Sequence, residues 1–358
     1  MLAPGGIMWR RKLAIAIVGF VTTSTALEAA PLATPWTVNP DNGHWYALTA
    51  NYSWVRSEVS ARQNGGHLAT IRSQAEQDFV FQTFGNWAGT LRLLWIGLND
   101  ARSEGQMSWT SGEPVAYTNW YPGEPNSGGN ANVDEDFTGI YWPTHIAEGK
   151  WNDFYHRNGA FGVQGYGVVE YDPANPVQHA FALATDANWL TIAPLGNQIG
   201  QDLNSVGLAF EAAHPDWNTN VSFDTADWSP AVSLGDEYIW GAASTSPVYF
   251  RHTFTLDQAL HDVEMLMHVD DNALVYINGQ LVVNDPLGGA SGFLLDITSF
   301  LQVGENLIAI KAQDIGVVSS LSVHLFAVPE PGGLILAASA MCSLLALSRG
   351  NRSRSSRS

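Results

Sequence analysis

Asn119-Trp120-Tyr121-Pro122-Gly123-Glu124-Pro125-Asn126, then Asp134-Glu135-Asp136, then Trp151-Asn152-Asp153: these three pieces decide how the chain is read. Between Asn119 and Asp153 side-chain oxygens are dense, and Lys150 is the only lysine or arginine. A hard cation such as calcium takes about six to eight oxygen ligands from carboxylates, amides, backbone and water, which is this composition. Prolines and glycines between the oxygens place them on loops, where binding groups are held by a rigid scaffold. Asp134-Glu135-Asp136 alone also reads as a run of turn acids. The whole series, with Glu and Asn flanking one proline and a later Trp-Asn-Asp, reads as a calcium site.

The stretch lies inside a region of regular elements, residues 40–172. Gly43 to Leu48 alternates like an opening strand. Ser53 to Arg62 has apolar residues Trp54, Val55, Val59 and Ala61 near helical spacing, and Gly65-Gly66 ends that helix. His67 to Ile71 reads as a short buried strand. Ser73-Gln74-Ala75-Glu76 has the capping-box form, predicting a second helix to about Phe84. Leu94 to Leu98 and Met107 to Trp109 read as core strands.

Gly65-Gly66-His67-Leu68-Ala69, Trp95-Ile96-Gly97-Leu98, Glu124-Pro125-Asn126 and Trp151-Asn152-Asp153 follow one another in order. With these four motifs, residues 40–172 resemble a C-type lectin domain, the calcium-dependent carbohydrate-recognition fold. The resemblance implies an α+β C-type lectin fold with two helices, strand pairs and a long loop region carrying calcium. It implies Glu124, Asn126, Glu135, Asn152 and Asp153 as ligands of a principal calcium (Ca2+) that also engages sugar, with Pro125 in the cis form that an X-Pro bond adopts at little cost. Carboxylates such as Glu124 accept from sugar hydroxyls and amides such as Asn126 donate to them. The order Glu-Pro-Asn resembles the version that prefers mannose-, glucose- or fucose-type hydroxyls. A second calcium is implied at Asp100, Glu104, Glu135 and Asp136. Ser127 stands where an acidic ligand is common there, with Asp134 the candidate to compensate.

The family pattern is not followed everywhere. Ala61 and Val169 stand where one cysteine pair is usual, and Phe137 and His156 where the other is. Each lost bridge would otherwise contribute about 2–4 kcal/mol, so stability has to come from another source. Residues 127–134 read as a short insertion that bears on where Glu135 falls. Trp95, Trp109 and Trp120 read as core residues, Trp142 and Tyr155 as candidates to stack on a sugar, and His145 and His156 as ordinary loop residues.

The two ends read as export signals. Arg10-Arg11-Lys12, the apolar run Leu13 to Val21 and the small residues to Ala30 form a signal peptide over residues 1–30, the alternative being an uncleaved anchor. At the other end, residues 328–358, Val328-Pro329-Glu330-Pro331 precedes the charge-free run Leu334 to Leu347 and then Arg349, Arg352, Arg354 and Arg357. This tail resembles the PEP-CTERM sorting signal of exported bacterial proteins. The resemblance implies a hydrophobic transmembrane helix, an exosortase-type processing enzyme and delivery to the cell surface or extracellular matrix. Membrane contact would then be through the tail only, before processing; a plain tail anchor is the alternative. The sole cysteine, Cys342, is in the tail, leaving no disulfide. The net charge of −18 opposes nucleic-acid binding, which needs lysine and arginine on phosphates.

Asp172 to Pro176 punctuates a linker, residues 173–180. Beyond it, residues 181–327 carry strand-like runs: Val248 to Phe254, Val263 to Val269, Ala273 to Ile277, Gln280 to Val283 and Asn306 to Ala312. Asn278-Gly279 between two of these is a strong hairpin signal. The pattern predicts an all-β antiparallel sandwich, and Val269 to Gly279 with Asp296 to Leu307 resembles the jelly-roll, galactose-binding-domain-like class. Asp270, Asp271 and Asn272 read as turn residues or as ligands of a structural calcium. No catalytic motif is present, so the expectation is a non-enzymatic, calcium-dependent binder of glycans or exopolysaccharide. The alternative is a structural or protein-binding matrix component in which calcium only orders the loops.

Overall fold

The computed structural model describes residues 29–127, 135–155, 164–179, 181–193, 202–235, 238–240, 247–285, 291–313 and 320–328. Signal-peptide residues 1–28, most of the 127–134 insertion including Asp134, His156 and the tail beyond Val328 lie outside them. Among the described residues no helix is long and apolar enough to cross a membrane.

The first region runs β1 (Thr37–Val38), β2 (Trp45–Asn51), α1 (Trp54–Gln63), β3 (His67–Leu68), α2 (Gln74–Phe84), β4 (Leu93–Asn99), β5 (Ser108–Trp109), β6 (Phe137–Ile140), β7 (Trp151–Phe154) and β8 (Gly165–Tyr171). Both helices begin where the sequence predicts. Ser53 accepts a hydrogen bond from the Arg56 amide at 3.2 Å, and Ser73 one from the Glu76 amide at 3.2 Å. The returning arm of the second cap reaches one residue further back than expected, Glu76 Oε2 accepting from the Arg72 amide at 2.7 Å. Gly65, at φ +79°, turns the chain out of α1 as only glycine does without strain. The strand expected over His67 to Ile71 stops at Leu68, and the Thr70 amide donates to the Glu170 carboxylate at 2.8 Å instead.

These strands form one eight-stranded sheet in the order β1-β2-β8-β4-β6-β7, with β3 on β8 and β5 on β4. β4 and β8 are parallel; every other pairing is antiparallel. One cluster joins Val80 and Phe84 of α2 to Ile96, Leu98, Trp109 and Trp151. Another gathers Trp54, Val55 and Val59 of α1 with Leu68, Leu93, Trp95 and Phe137. α1 lies so close to the sheet that a Cβ on Gly167 would meet Ser57 Cβ at 2.5 Å. Ala61 and Val169, at the expected cysteine positions, are both fully buried.

The second region runs β9 (Phe181–Ala184), β10 (Leu190–Ile192), α3 (Leu208–Ala213), β11 (Ser229–Pro230), β12 (Val232–Gly235), β13 (Tyr238–Trp240) and β14 (Val248–Leu256). It continues with β15 (His261–Asp270), β16 (Asn272–Ile277), β17 (Gln280–Asp285), β18 (Ser291–Asp296), β19 (Gly304–Gln313) and β20 (Ser320–Val328). One sheet has the order β11-β10-β14-β19-β16-β17; the other is β12-β13-β20-β15-β18, with β9 on β20. Both face a single core of Val248, Phe250, Ile308 and Ile310 against Val263, Met265, Met267, Val323 and Leu325. Asn278 and Gly279, at φ 50° and 81°, make the two-residue turn between β16 and β17. Asp270 to Asn272 form the corner where the chain passes between sheets, with the Asp271 amide donating to Gln313 O at 2.9 Å.

The two regions share buried surface. Leu266, Leu294 and Phe326, on the outer face of β15, β18 and β20, complete the α1 cluster of the first region. Polar groups cross the same seam. Arg62 Nε donates to Glu58 Oε1 at 2.8 Å, while Arg62 Nη2 pairs with Glu264 Oε2 at 2.6 Å. Glu58 Oε2 accepts from the Leu68 amide at 2.8 Å. Glu58 is fully buried and Arg62 nearly so, and burial of this kind is tolerated only when every charge is met.

Candidate functional site

β7 anchors the loop that the sequence singled out. Trp151 is fully buried, its Nε1 donates to Gln77 Oε1 at 2.7 Å, and the rings of Trp109, Tyr117 and Trp120 pack edge-on around it. The loop hangs on this residue by its backbone: Trp151 N donates to Asn119 O at 2.9 Å and Tyr121 N to Trp151 O at 2.8 Å. A turn follows, with Glu124 N donating to Tyr121 O at 3.0 Å, and the Glu124–Pro125 bond is cis. Asp153 then clasps the end of the loop, its Oδ2 accepting from the amides of Asn126 and Ser127, each at 2.8 Å.

The clasp uses one carboxylate oxygen and leaves another. Asp153 Oδ1 and Glu124 Oε2 are both buried with no hydrogen-bond partner. Burial, and after it the neighbouring Asp153 carboxylate, push the Glu124 carboxyl above its ordinary value. Buried acceptors left unpaired are costly, and two adjacent carboxylates disfavour each other's ionisation. A bound cation removes both penalties, so the donor set fits calcium. Burial, then the charges of Glu124, Glu135 and Asp153, push the Tyr141 phenol up to about 12. Asn152 is buried, and its Nδ2 donates to the carbonyl of Asp153, while Asn126 is exposed.

A second group stands beside the first. The Asp100 amide donates to Asp136 O at 3.1 Å, which joins the end of β4 to the start of β6. Carboxylate oxygens of Asp100, Glu104 and Asp136 lie within 4.8 Å of one another, the only such trio of possible metal ligands found among the described residues. Gly105 N donates to Asp100 Oδ2 at 2.9 Å, and the Ser127 hydroxyl donates to Glu104 Oε1. Glu135, which the sequence placed in this group, is not part of the trio.

Trp142 is 8% exposed and packs in the α1 cluster, so it offers no open face for stacking; Tyr155 is 42% exposed. Trp95 and Trp109 are core residues as expected, and Trp120 packs against the core. His145 accepts from the Ala147 amide at 3.1 Å and stacks on Tyr141, a loop role. No residue pattern signalled a cavity of about 220 Å³ lined by His44, Arg72, Glu113, Glu170 and Asp172. Its charges are met internally, since Glu170 Oε1 binds His44 Nδ1 at 2.5 Å and Arg72 Nη1 at 2.8 Å.

The family model of the Lectin C-type domain matches residues 50–155. The Low affinity immunoglobulin epsilon Fc receptor of Mus musculus is 34% identical over 114 residues, covering 32% of this chain and 30% of the receptor. C-type mannose receptor 2 of Homo sapiens is 36% identical over 115 residues, covering 32% of this chain and 7% of that protein. The chain thus spans less than a third of either curated relative. The cow C-type carbohydrate-recognition domain of CD23, solved in the presence of GlcNAc2Man3 oligosaccharide, is 28% identical with a TM-score of 0.31, covering 39% of this chain and 96% of its own. The match to the Lectin C-type domain thus covers residues 50–155, with the rest of the chain outside it.

Proposed function

We propose that this chain is a non-enzymatic, calcium-dependent carbohydrate-binding protein. The observation that carries the reading is the pair of buried, unpartnered oxygens, Glu124 Oε2 and Asp153 Oδ1, at the end of a loop already clasped by Asp153. Glu124, Asn126, Glu135, Asn152 and Asp153 would hold the principal calcium, and Asp100, Glu104 and Asp136 a second. Bound calcium supplies coordination positions for two vicinal sugar hydroxyls. The chain does the rest: Glu124 accepts from the sugar and the exposed Asn126 amide donates to it, in the order that suits mannose-, glucose- or fucose-type hydroxyls. The C-type lectin relatives, one of them named a mannose receptor, support carbohydrate as the ligand class.

Export through the signal peptide, processing by an exosortase-type enzyme at the PEP-CTERM tail and action on surface glycans or exopolysaccharide belong to the same reading, as does a jelly-roll assignment for the sandwich. A glycan array with and without EDTA tests it: binding to mannose-type glycans is expected, and it is expected to vanish on chelation. Binding that survives EDTA would exclude the calcium-bridged mechanism. A second reading, a protein-binding module with calcium ordering the loops, is favoured by the relative named as an immunoglobulin receptor. It predicts a melting temperature lowered by EDTA with no glycan bound.

A further inference from the structure

Two histidines stand in the seam between the regions, and neither belongs to the candidate calcium site. His179 lies on the segment that joins the regions, and its ring packs on Phe326 of β20 with centroids 4.7 Å apart. His324, also on β20, is buried, and its ring lies 13° from parallel to that of Phe326 at 6.4 Å. The Arg62 guanidinium sits over Phe326 as well, 5.3 Å from its centroid. One phenyl ring is thus shared by an arginine and two imidazoles.

Cationic groups reach these histidines from two elements. α1 brings Arg56, whose charge acts on His324, and Arg62, whose charge acts on His179. β3 brings His67, which also acts on His179. The carboxylates of the seam are already engaged. Glu58 of α1 meets Arg62 at 2.8 Å and His67 at 2.9 Å. Glu264 of β15 meets Arg62 at 2.6 Å and also pairs with Arg102, on which Asp262 and Asp296 act in turn. Both ring nitrogens of His179 are buried. Burial first, then Arg62 and His67, hold its imidazole down at about 4, against an upward pull from the Arg62 backbone and Glu58. Burial and then Arg56 hold His324 down at about 3.

We propose that His179 and His324 form an acid-sensitive latch between the two regions, closed while both imidazoles are neutral and released when they take up protons. Each proton places a new cation within the field of an α1 arginine, in a seam whose carboxylates already serve other cations. The sign follows from linkage. A histidine depressed in the docked state weakens docking as pH falls below its ordinary 6.5, and the loss is complete only below the docked values of about 4 and 3. Glu58, held at about 2, stays ionised through most of that interval and does not itself release the seam. The latch is independent of calcium and of any glycan.

Small-angle X-ray scattering on the full chain tests it, in EDTA from about pH 7.5 to about pH 4, with far-UV circular dichroism alongside. Wild type is expected to expand as pH falls through this range while its circular dichroism holds, because the regions part without unfolding. His179→Phe and His324→Phe keep a ring on Phe326 and carry no charge at any pH. Each should expand at a pH lower than wild type by about half a unit or more, and the double variant lower still. Where a phenylalanine variant is not compact at neutral pH, His179→Gln and His324→Gln take its place. Wild type that stays compact throughout overturns the proposal. Expansion of wild type and double variant at the same pH overturns it too, since carboxylates would then be responsible. Expansion that coincides with loss of the circular dichroism signal is global acid unfolding and overturns it as well.

Discussion

α1 and α2 are helices of nearly equal length, 10 and 11 residues, in one domain, each capped by serine, yet they are buried to different degrees. In α2 only Glu76, Gln77, Val80 and Phe84 are buried, one face against the sheet. In α1 every residue from Trp54 to Arg62 is buried, including Arg56, Glu58 and Arg62. The difference comes from what lies outside each helix. α2 has an outer face that includes exposed Gln74, Ala75 and Asp78, whereas α1 is enclosed between its own sheet and β15, β18 and β20 of the sandwich. A helix with polar residues on its outer side can thus be interior when a second body covers it, as Glu264 does for Arg62.

That contrast can be broken most severely at Trp54. Its ring stacks on Phe137 at 4.4 Å and its Nε1 donates to Ile96 O at 2.7 Å, so Trp54→Ala should cost about 3–5 kcal/mol in urea unfolding. A loss under about 1 kcal/mol would show that α1 is not interior.

Glu58→Gln tests the charges, with an expected loss of about 3 kcal/mol at neutral pH because the buried Arg62 keeps only Glu264 as an anion and His67 loses its own. The pH dependence adds a signature. Burial works to raise the Glu58 carboxyl, but Arg62, His67 and the Leu68 amide outweigh it and hold it at about 2, below its ordinary 4.5. A group depressed in the folded state contributes stability above its unfolded value and loses it as pH falls towards the folded one. Wild type should therefore lose this contribution between about pH 4.5 and 2, and Glu58→Gln should be flatter over that interval. The smallest effect is expected at α2, where Ser73→Ala removes only a cap, at about 1 kcal/mol.

Much of the lectin domain was legible because its signals are local. Caps at Ser53 and Ser73, Gly65 after α1 and the Trp151 anchor each act within a few residues or in a fixed motif. The pairing of Glu124 with Asp153 was legible as membership of one motif set, but the division of labour at Asp153, one oxygen on two amides and one left over, was not. It depends on backbone placement that no spacing encodes. In the sandwich, strands β14 to β17 and β19 were marked by apolar runs and by Asn278-Gly279. β20 was passed over: Ser322 and His324 interrupt its apolar residues, yet both are buried. The Asp172 to Pro176 linker signalled separation, while Leu266, Leu294 and Phe326 were indistinguishable from ordinary core residues of their own sheet. The missing disulfides raised a question about stability, and the shared α1 cluster answers it.

The enclosure of α1 also bears on avidity. A lectin head on a flexible tether sweeps a volume, and its effective concentration at a second sugar is set by tether length. Here the loop-bearing region is joined through α1 to a sandwich, which limits how freely it can turn. On the proposed carbohydrate-binding reading, for copies side by side on a surface, the distance between neighbouring copies, rather than any linker, would select which spacing of glycans is held.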